Sequence, residues 1–237
     1  MRLCAEERNL ISAQSIRKVF NAGRSNEFTA LYDLSIDIRL HETTVLKGPS
    51  GSGKTTLLAL LGCMARPTSG RIFINQRETT SLPERFLSEI RRSTFGFIFQ
   101  QFNLIRGISA LENVMIPAYP NGERISLLRN RAMNTLEMFK LGERAHTKIE
   151  YLSGGEAQRV AIARALINNP AVIIADEPSA HLDTRLSHEF MGIMKDLKAN
   201  GSTIILASHD PIVYDSDQID RVVEMRDGHV VTEDKLL

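Results

Sequence analysis

The sequence has few cysteines, almost no net charge and no long apolar segment, and each shortage excludes a class of protein. Its two cysteines, Cys4 and Cys63, cannot form a disulfide framework and indicate the reduced thiols of a cytosolic protein. Because 29 Lys and Arg residues face 28 Asp and Glu residues, there is no extended basic field to bind nucleic acid. The longest uncharged apolar run, about 57–65, is far below the ~20 residues that span a bilayer. The N-terminus also lacks a signal peptide pattern, so we expect a chain that does not cross a membrane by itself.

A glycine-rich stretch is the strongest motif in the chain. It matches G-x-x-x-x-G-K-[ST], the phosphate-binding loop, and consists of Gly48, Pro49, Ser50, Gly51, Ser52, Gly53, Lys54 and Thr55, with Thr56 next. Glycines allow successive backbone N–H groups to turn inward onto a polyphosphate. Lys54 supplies a cation to the β- and γ-phosphates, and the Thr55 hydroxyl is suited to bind Mg²⁺. An apolar strand at 43–46 and a helix over 54–64 flank the loop, which favours a nucleotide site over a chance Gly/Ser turn.

Alternating strand and helix patterns predict an α/β fold with a mainly parallel sheet. Residues up to 40 are expected to form short strands, an N-terminal antiparallel β subdomain, attached to a P-loop NTPase (RecA-like) core. Strand patterns stop at about 101 and return after 166, with amphipathic helices between. We therefore expect one nucleotide-binding domain over 1–237. Its core spans about 10–100 and 167–233, and about 101–166 form an inserted α-helical subdomain.

Polar side chains follow three of the predicted strands at their carboxyl ends, where functional groups of a parallel sheet collect. Gln100 follows one strand, Asp176 and Glu177 follow the buried run at 171–175, and His209 follows another strand. Asp176 is placed to hold Mg²⁺ beside the phosphates, and Glu177 is placed to accept a proton from an attacking water. An acidic turn that merely ends a strand is the alternative. The phosphate loop in the same chain favours the catalytic interpretation.

A second motif is the string YLSGGEAQRVAIARAL at 151–166. Its Ser153 and Glu156 alone would form a capping box, which begins many helices. The complete string resembles the signature of the ATP-binding cassette ATPases, Leu-Ser-Gly-Gly-Gln followed by an Arg-rich apolar helix. The resemblance covers residues 10–233 and includes the phosphate loop, Gln100, the segment 171–177, the loop 179–183 and His209.

The resemblance implies a head-to-tail dimer that encloses two ATP molecules, with the signature of one chain completing the ATP site of the other. Ser153 and Gly155, with Gly154 and Glu156 beside them, would approach the γ-phosphate bound by the partner's Lys54. The N-terminus of the signature helix suits an anion because its N–H groups and its dipole both favour negative charge. Asp183 would contact the partner across the interface.

The family also implies roles for three residues of the chain's own ATP site. His209 would hold the γ-phosphate and orient the water, and Phe20 would stack on the adenine ring in place of the commoner Tyr. Gln100 would sense the nucleotide, contribute to Mg²⁺ binding and face a membrane subunit. Glu156 stands where Gln is commonest, and a carboxylate facing a triphosphate is costly. We expect it to turn toward its own helix start or toward the ribose hydroxyls, and we expect Lys47, in the buried strand before the loop, to snorkel.

Two further strings, FGFIFQQFNLI at 95–105 and ALENVMIP at 110–117, most resemble the lipoprotein-releasing, macrolide-export and cell-division group. The resemblance implies an ATP-hydrolysing subunit that powers a separate integral membrane subunit from the cytoplasmic face of the inner membrane. An ATP-gated scaffold of the cell-division type and a polar amino-acid importer ATPase are the alternatives. We expect the membrane subunit to dock at about 99–117, on apolar residues of that segment, namely Phe102, Leu104, Ile105 and Ile108.

Overall fold

Two β-sheets and a group of helices make up the computed structural model, which describes residues 9–180 and 183–235. Cys4 and residues 181–182 of the loop 179–183 lie outside these ranges. The strands are β1 Asn9–Phe20, β2 Phe28–Arg39, β3 Thr43–Lys47, β4 Ser69–Ile74, β5 Arg77–Glu78, β6 Phe95–Ile98, β7 Val172–Asp176, β8 Thr203–Ser208, β9 Arg221–Arg226 and β10 His229–Lys235. The α-helices are α1 Lys54–Leu61, α2 Glu84–Thr94, α3 Ala110–Met115, α4 Ile125–Met138, α5 Gly154–Leu166, α6 Thr184–Ala199 and α7 Pro211–Tyr214. No described helix has the length and apolar character needed to span a membrane.

The larger sheet has the order β10-β9-β3-β8-β7-β6. All its neighbouring pairs run parallel except β10 and β9, which confirms the mainly parallel core. The central strand β3 is buried on both faces, since Val45 and Leu46 belong to two different hydrophobic clusters and successive residues of a strand face opposite sides. The strand ends immediately before the phosphate loop and so fixes that loop at the middle of the sheet edge.

The smaller sheet is antiparallel, with the order β2-β1-β4-β5, as the predicted N-terminal β subdomain requires. The prediction of short strands was wrong, because β1 and β2 each extend over 12 residues. Register shifts interrupt their pairing, and positive φ angles at Ser15 and Asp33 accompany them. These irregularities are β-bulges, which bend a long ribbon and hide its continuity from the alternation of side chains.

Helices α3, α4 and α5, with 3₁₀ turns at Ile116–Asn121, Gly142–Arg144 and Ile149–Tyr151, occupy the segment predicted to be helical. Their buried side chains share one hydrophobic cluster with one face of the parallel sheet. The opposite face packs against α1 and the antiparallel sheet. The division at about residues 101 and 166 stays a prediction, because the shared cluster is continuous across it.

Candidate nucleotide site

The phosphate loop follows β3 with a backbone that only glycine accommodates at its two ends. Gly48 has φ +155° and its missing Cβ would lie 2.2 Å from the Met225 carbonyl oxygen. Gly53 has φ +99°, and a Cβ there would lie 2.9 Å from the Ala30 carbonyl oxygen. A side chain at either position would displace backbone of a neighbouring strand, so the loop owes its shape to these glycines. Helix α1 ends at Leu61, not at residue 64 as predicted, because Gly62 caps it.

The Lys54 ammonium group bridges the loop to a catalytic candidate. It donates hydrogen bonds to the carbonyl oxygens of Gly48 at 2.7 Å and Pro49 at 3.1 Å. It also lies 3.3 Å from Glu177 Oε1. Only 6% of the Lys54 side chain is exposed, so its charge is balanced by these groups and not by solvent. An incoming phosphate would have to replace them.

Thr55 and Asp176 form the pair expected to bind Mg²⁺. The Thr55 hydroxyl donates to Asp176 Oδ1 at 3.1 Å, which joins the start of α1 to the end of β7. Burial raises the pKa of Asp176 above its ordinary value, with a smaller contribution from the neighbouring Glu177 carboxylate. A partly buried carboxylate beside a hydroxyl is a hard oxygen donor set that a divalent cation would stabilise. The residues present therefore fit Mg²⁺.

Glu177 contacts both side chains that the sequence predicts to bind phosphate. Its Oε2 lies 2.8 Å from His209 Nδ1, while its Oε1 faces Lys54. The backbone of Glu177 has φ +46°, a left-handed conformation that is uncommon for a residue other than glycine or asparagine. Its N–H donates to the Ala207 carbonyl oxygen at 2.9 Å, which holds the strained residue on the neighbouring strand. Backbone strain of this kind is concentrated at functional sites.

Lys54, Thr55, Glu177 and His209 line one cleft of about 290 Å³, whereas Asp176 is not among its described lining residues. Its described lining comprises Phe28, Ala30, Ser50, Gly51, Ser52, Gly53, Lys54, Thr55, Thr56, Gln100, Glu177 and His209. The structure thus brings Gln100 and His209 to the phosphate loop, as the strand ends predicted. The Ser52 hydroxyl is buried without a hydrogen-bond partner among the described residues, which leaves a polar group available in the cradle.

Phe20, the predicted adenine platform, is not part of that lining. It stands opposite Phe28 in the pairing of β1 with β2, and Lys18 Nζ lies 5.0 Å from the centre of its ring. Phe28 is the aromatic residue that reaches the cleft, with 59% of its surface exposed. Sequence reasoning missed it, although a second exposed aromatic across the predicted hairpin was a usable signal. The base platform therefore has two aromatic candidates.

The signature residues lie apart from this cleft, and among the described residues none of them lines it. Ser153 is the N-cap of α5, and its N–H and hydroxyl both donate to Glu156 Oε2, at 2.8 and 2.9 Å. Arg144 Nε lies 3.2 Å from the other oxygen, Glu156 Oε1. These contacts, chiefly the hydrogen bond from the Ser153 N–H, lower the pKa of Glu156. The Glu156 carboxylate is therefore turned toward the start of its own helix, which is one of the two predicted orientations. Arg144 was not foreseen.

Asp183 and Gly155 meet beside the signature. Asp183 caps α6 by accepting a hydrogen bond from the Leu186 N–H at 2.8 Å. Gly155 allows close packing there, since a Cβ at this position would lie 2.9 Å from Leu186 Cδ2. Ser153, Gly154, Glu156 and Asp183 all remain partly or fully exposed. The two predicted interface elements therefore form one surface outside the chain's own cleft.

Lys47 has a partner that explains its place in a buried strand. Its ammonium group lies 4.1 Å from the centre of the Tyr214 ring, within the range of a cation–π interaction. Tyr214 ends α7, the short helix that begins two residues after His209. The side chain is half-buried on an aromatic face, which is a more specific arrangement than the predicted snorkelling.

A second concavity of about 460 Å³ is here called the apolar groove. It is lined by residues of α2, of β6 and of the helical segment. Its lining is Met64, Ser88, Arg91, Arg92, Phe95, Gly96, Phe97, Phe99, Pro117, Pro120, Arg164, Ala165 and Asn168. The groove reaches both ends of the segment predicted for docking, through Phe99 and Pro117, but its described lining includes no residue of 102–108. A contribution of 102–108 to docking stays a prediction. Asn113 binds the backbone of Ile105, accepting from its N–H at 2.7 Å and donating to its carbonyl at 3.0 Å, and Leu104 packs on the core. The Ile105 side chain nevertheless remains exposed, with 51% of its surface accessible.

Comparison with known proteins identifies the family. The family model for the ABC transporter matches residues 31–180, more than half of the chain. The chain belongs to the ABC transporter family. The macrolide export ATP-binding/permease proteins MacB of Hyphomonas neptunium and Rhodopseudomonas palustris are 43% and 44% identical, over 224 and 223 residues. Both matches cover 94% of this chain and 34% of the relative, so the chain spans about a third of their length.

Solved ABC cassettes have the same fold. The bacterial cassette MJ0796, solved as a dimer, has a TM-score of 0.88 at 38% identity, with 96% of this chain and 99% of that one covered. A dimeric structure of MJ0796 after hydrolysis, bound to ADP and Pi, has a TM-score of 0.87 at 37% identity, again covering 96% and 99%. The α/β cassette fold inferred from the sequence is therefore confirmed.

Proposed function

We propose that the chain binds and hydrolyses ATP as the nucleotide-binding subunit of a membrane transport complex. The observation that carries this proposal is the convergence of Lys54, Glu177 and His209 on one cleft beside the Thr55–Asp176 pair. Phosphate-loop amides and Lys54 would bind the triphosphate. Thr55, Gln100 and Asp176 would hold Mg²⁺, which supplies charge neutralisation between the β- and γ-phosphates when bound.

Hydrolysis requires an exchange of partners within the site. Lys54 forms an ion pair with Glu177 and His209 lies within hydrogen-bond distance of it, and both are groups that a γ-phosphate would attract. When they turn to the phosphate, the Glu177 carboxylate is released to take a proton from the attacking water. His209 then orients that water and donates to a γ-phosphate oxygen. The base is thus free only when the triphosphate is in place.

Two such chains would enclose two ATP molecules head to tail, as the dimeric structures of MJ0796 support. The signature lies outside the chain's own cleft on an exposed surface with Asp183. An N-terminus of a 13-residue helix presents unpaired N–H groups and a positive dipole end to a phosphate. Glu156 accepts from Ser153 and pairs with Arg144, and these contacts balance its charge beside the surface that the partner's γ-phosphate would meet.

The membrane subunit would dock in the apolar groove. Phe97, Phe99 and Pro117 line it, and Arg91 and Arg92 stand at its side on α2. This composition suits a short helix with an apolar face and acidic flanks. Phe99 immediately precedes Gln100, so a helix seated here would follow the movement of the nucleotide site.

The MacB relatives, in which a cassette and a permease share one chain, favour an export or extraction role at the cytoplasmic face of the inner membrane. A scaffold of the cell-division type and a polar amino-acid importer ATPase are the competing assignments. Reconstitution separates them: an exporter cassette would have its ATPase activity stimulated by its membrane subunit together with the exported compound. A scaffold would bind its subunit without any such stimulation.

The first test is phosphate release by the purified chain at increasing ATP concentration, with and without Mg²⁺. We expect Mg²⁺-dependent hydrolysis that Lys54→Met abolishes, and its absence in the wild-type chain would contradict the proposal. A second test addresses docking. Met64→Glu places a charge at the exposed rim of the groove, and Met138→Glu places one on an exposed methionine elsewhere. Only the first should lose the membrane subunit, and equal binding by both would remove the groove from the proposal.

A further inference from the structure

Helix α5 carries the signature at its N-terminus, and at its C-terminus the guanidinium group of Arg164 contacts two backbone carbonyls. Arg164, in its last turn, donates through Nη1 to the Asn103 carbonyl oxygen at 2.5 Å and through Nη2 to the Phe102 carbonyl oxygen at 2.6 Å. A guanidinium group presents two parallel donors in fixed geometry, so it holds two successive carbonyls in one orientation. The helix is therefore attached to the segment that follows Gln100.

That segment adopts a conformation that needs support. Phe102 has φ +57° and Asn103 has φ +48°. Asparagine tolerates the left-handed region, whereas a bulky residue such as phenylalanine rarely adopts it. Strained backbone persists only where the surroundings hold it, and the two carbonyls held by Arg164 belong to these two residues.

The strained turn begins at the nucleotide cleft. The Phe102 N–H donates to the Phe99 carbonyl at 2.9 Å, and the Asn103 N–H donates to the Gln101 carbonyl at 2.6 Å. Gln100, which lines the cleft, thus stands inside a compact hydrogen-bonded turn. A movement of Gln100 toward or away from a nucleotide would shift the two carbonyls that Arg164 holds.

A second contact connects the same helix to the other side of the cleft. Gln158, which is buried, donates through Nε2 to the Pro178 carbonyl oxygen at 3.2 Å, and Pro178 follows Glu177. Helix α5 is thus linked to two of the loops that line its own chain's cleft, those that carry Gln100 and Glu177. At 1.5 Å per residue its 13 residues extend about 20 Å, and Arg164 and Ser153 are about 16 Å apart along its axis.

We propose that Arg164 is a positioning residue that couples the nucleotide state of its own chain to the signature offered to the partner. The inference rests on the proposed two-site dimer. Occupation of one cleft moves the Gln100 turn, and Arg164 transfers that shift to α5. Ser153, at the other end of α5, is thereby positioned to meet the nucleotide bound by the partner chain. Because Arg164 joins the Gln100 turn to the helix that begins at Ser153, occupation of one site would favour occupation of the other, and the two ATP sites become positively coupled.

The first measurement is the dependence of the hydrolysis rate on ATP concentration for the full chain. The wild type should show a Hill coefficient approaching two, the number of sites, and Arg164→Met should lower it to roughly one. Arg164→Lys, a single point charge that reaches one carbonyl, should be intermediate. Arg131→Met is the matched control, because Arg131 pairs with Glu123 in the same helical segment and does not contact the Gln100 turn. It should retain the wild-type coefficient.

The second measurement is amide hydrogen exchange of residues 153–159 on addition of ATP, at a concentration where the chain is monomeric. ATP should change this exchange in the wild type and in Arg131→Met, and should leave it unchanged in Arg164→Met. Binding of a fluorescent ATP analogue to each monomer should stay within twofold, which separates coupling from loss of the site.

The outcomes separate the role of Arg164 from the coupling of the two sites and from the proposed ATPase activity. An unchanged Hill coefficient and unchanged exchange response in Arg164→Met would overturn the role of Arg164. So would equal losses in Arg164→Met and Arg131→Met, since that pattern reports general destabilisation of the helical segment. Hyperbolic kinetics in the wild type would overturn the coupling and leave the proposed ATPase intact. Absence of hydrolysis in every chain would instead overturn the proposed function.

Discussion

Replacing Glu177 with glutamine removes a negative charge and a proton acceptor while keeping the shape of the side chain. Loss of a positioned general base costs on the order of 10²-fold or more, about 2.7 kcal/mol of transition-state stabilisation. The amide oxygen can still accept from Lys54 or His209, but the ion pair to Lys54 at 3.3 Å is gone. We therefore expect hydrolysis to fall at least a hundredfold with the cleft intact.

ATP binding should respond in the opposite direction. In the wild-type chain ATP must displace Glu177 from Lys54, and both side chains are at most 12% exposed. If this pair contributes about 1 kcal/mol, its removal tightens ATP binding roughly fivefold. Removing the carboxylate also removes its repulsion of the triphosphate, which acts in the same direction.

Phosphate release under steady-state conditions and calorimetric titration with ATP at 4 °C measure the two effects. Glu224→Gln is the control, because Glu224 lies on the strand beside β3 and contacts Thr232 outside the cleft. It should retain both activity and affinity. Near-normal hydrolysis by Glu177→Gln would refute the assignment of the base, and weakened ATP binding would refute the exchange of partners.

Three further outcomes are expected. Asp176→Asn should raise the thermal stability of the nucleotide-free chain at pH 7, because burial raises the pKa of Asp176; the gain should shrink as the pH falls and the wild-type carboxyl becomes protonated, and a constant gain would contradict this. Glu156→Gln should lower stability at pH 7, and this loss should disappear as the pH falls through the lowered pKa of Glu156, because the carboxylate stabilises the fold only while it is charged; melting curves from pH 3 to 7 test this dependence. Gly48→Ala should abolish ATP binding and much of the fold, since its Cβ would lie 2.2 Å from the Met225 carbonyl, whereas Gly23→Ala, with φ +75° in open space, should cost only about 1–2 kcal/mol of unfolding free energy in chemical denaturation.

Local motifs account for the part of the site that could be predicted from the sequence. Gly48 and Lys54 belong to one continuous loop. Asp176 ends a strand that can be predicted from its run of apolar residues. Parallel strands deliver their carboxyl ends to one edge, so Glu177 and His209 could be placed near the loop without knowing the strand order. The alternation of strand and helix patterns predicted the mainly parallel core.

The remaining features depend on register and packing between distant segments. Phe28 reaches the cleft because of its pairing with Phe20 across a bulged ribbon, and bulges shift side chains in a way that alternation does not reveal. Arg144 approaches Glu156, and Arg164 approaches the turn after Gln100, only through the folding of the helical segment. The absence of 102–108 from the groove lining could not be foreseen for the same reason, because it depends on packing around the Ile105 backbone that Asn113 binds.

The central claim is that two copies of this chain close around ATP. Sedimentation velocity of Glu177→Gln at tens of micromolar, with and without ATP and Mg²⁺, tests it most directly, because ligand bound only by the dimer shifts the equilibrium toward it. We predict monomers without nucleotide, dimers with ATP, and monomers in both conditions when Ser153→Arg is added. Ser109→Ala, which breaks the equivalent capping box of α3, should still dimerise. An unchanged monomer of Glu177→Gln in saturating ATP would contradict the account.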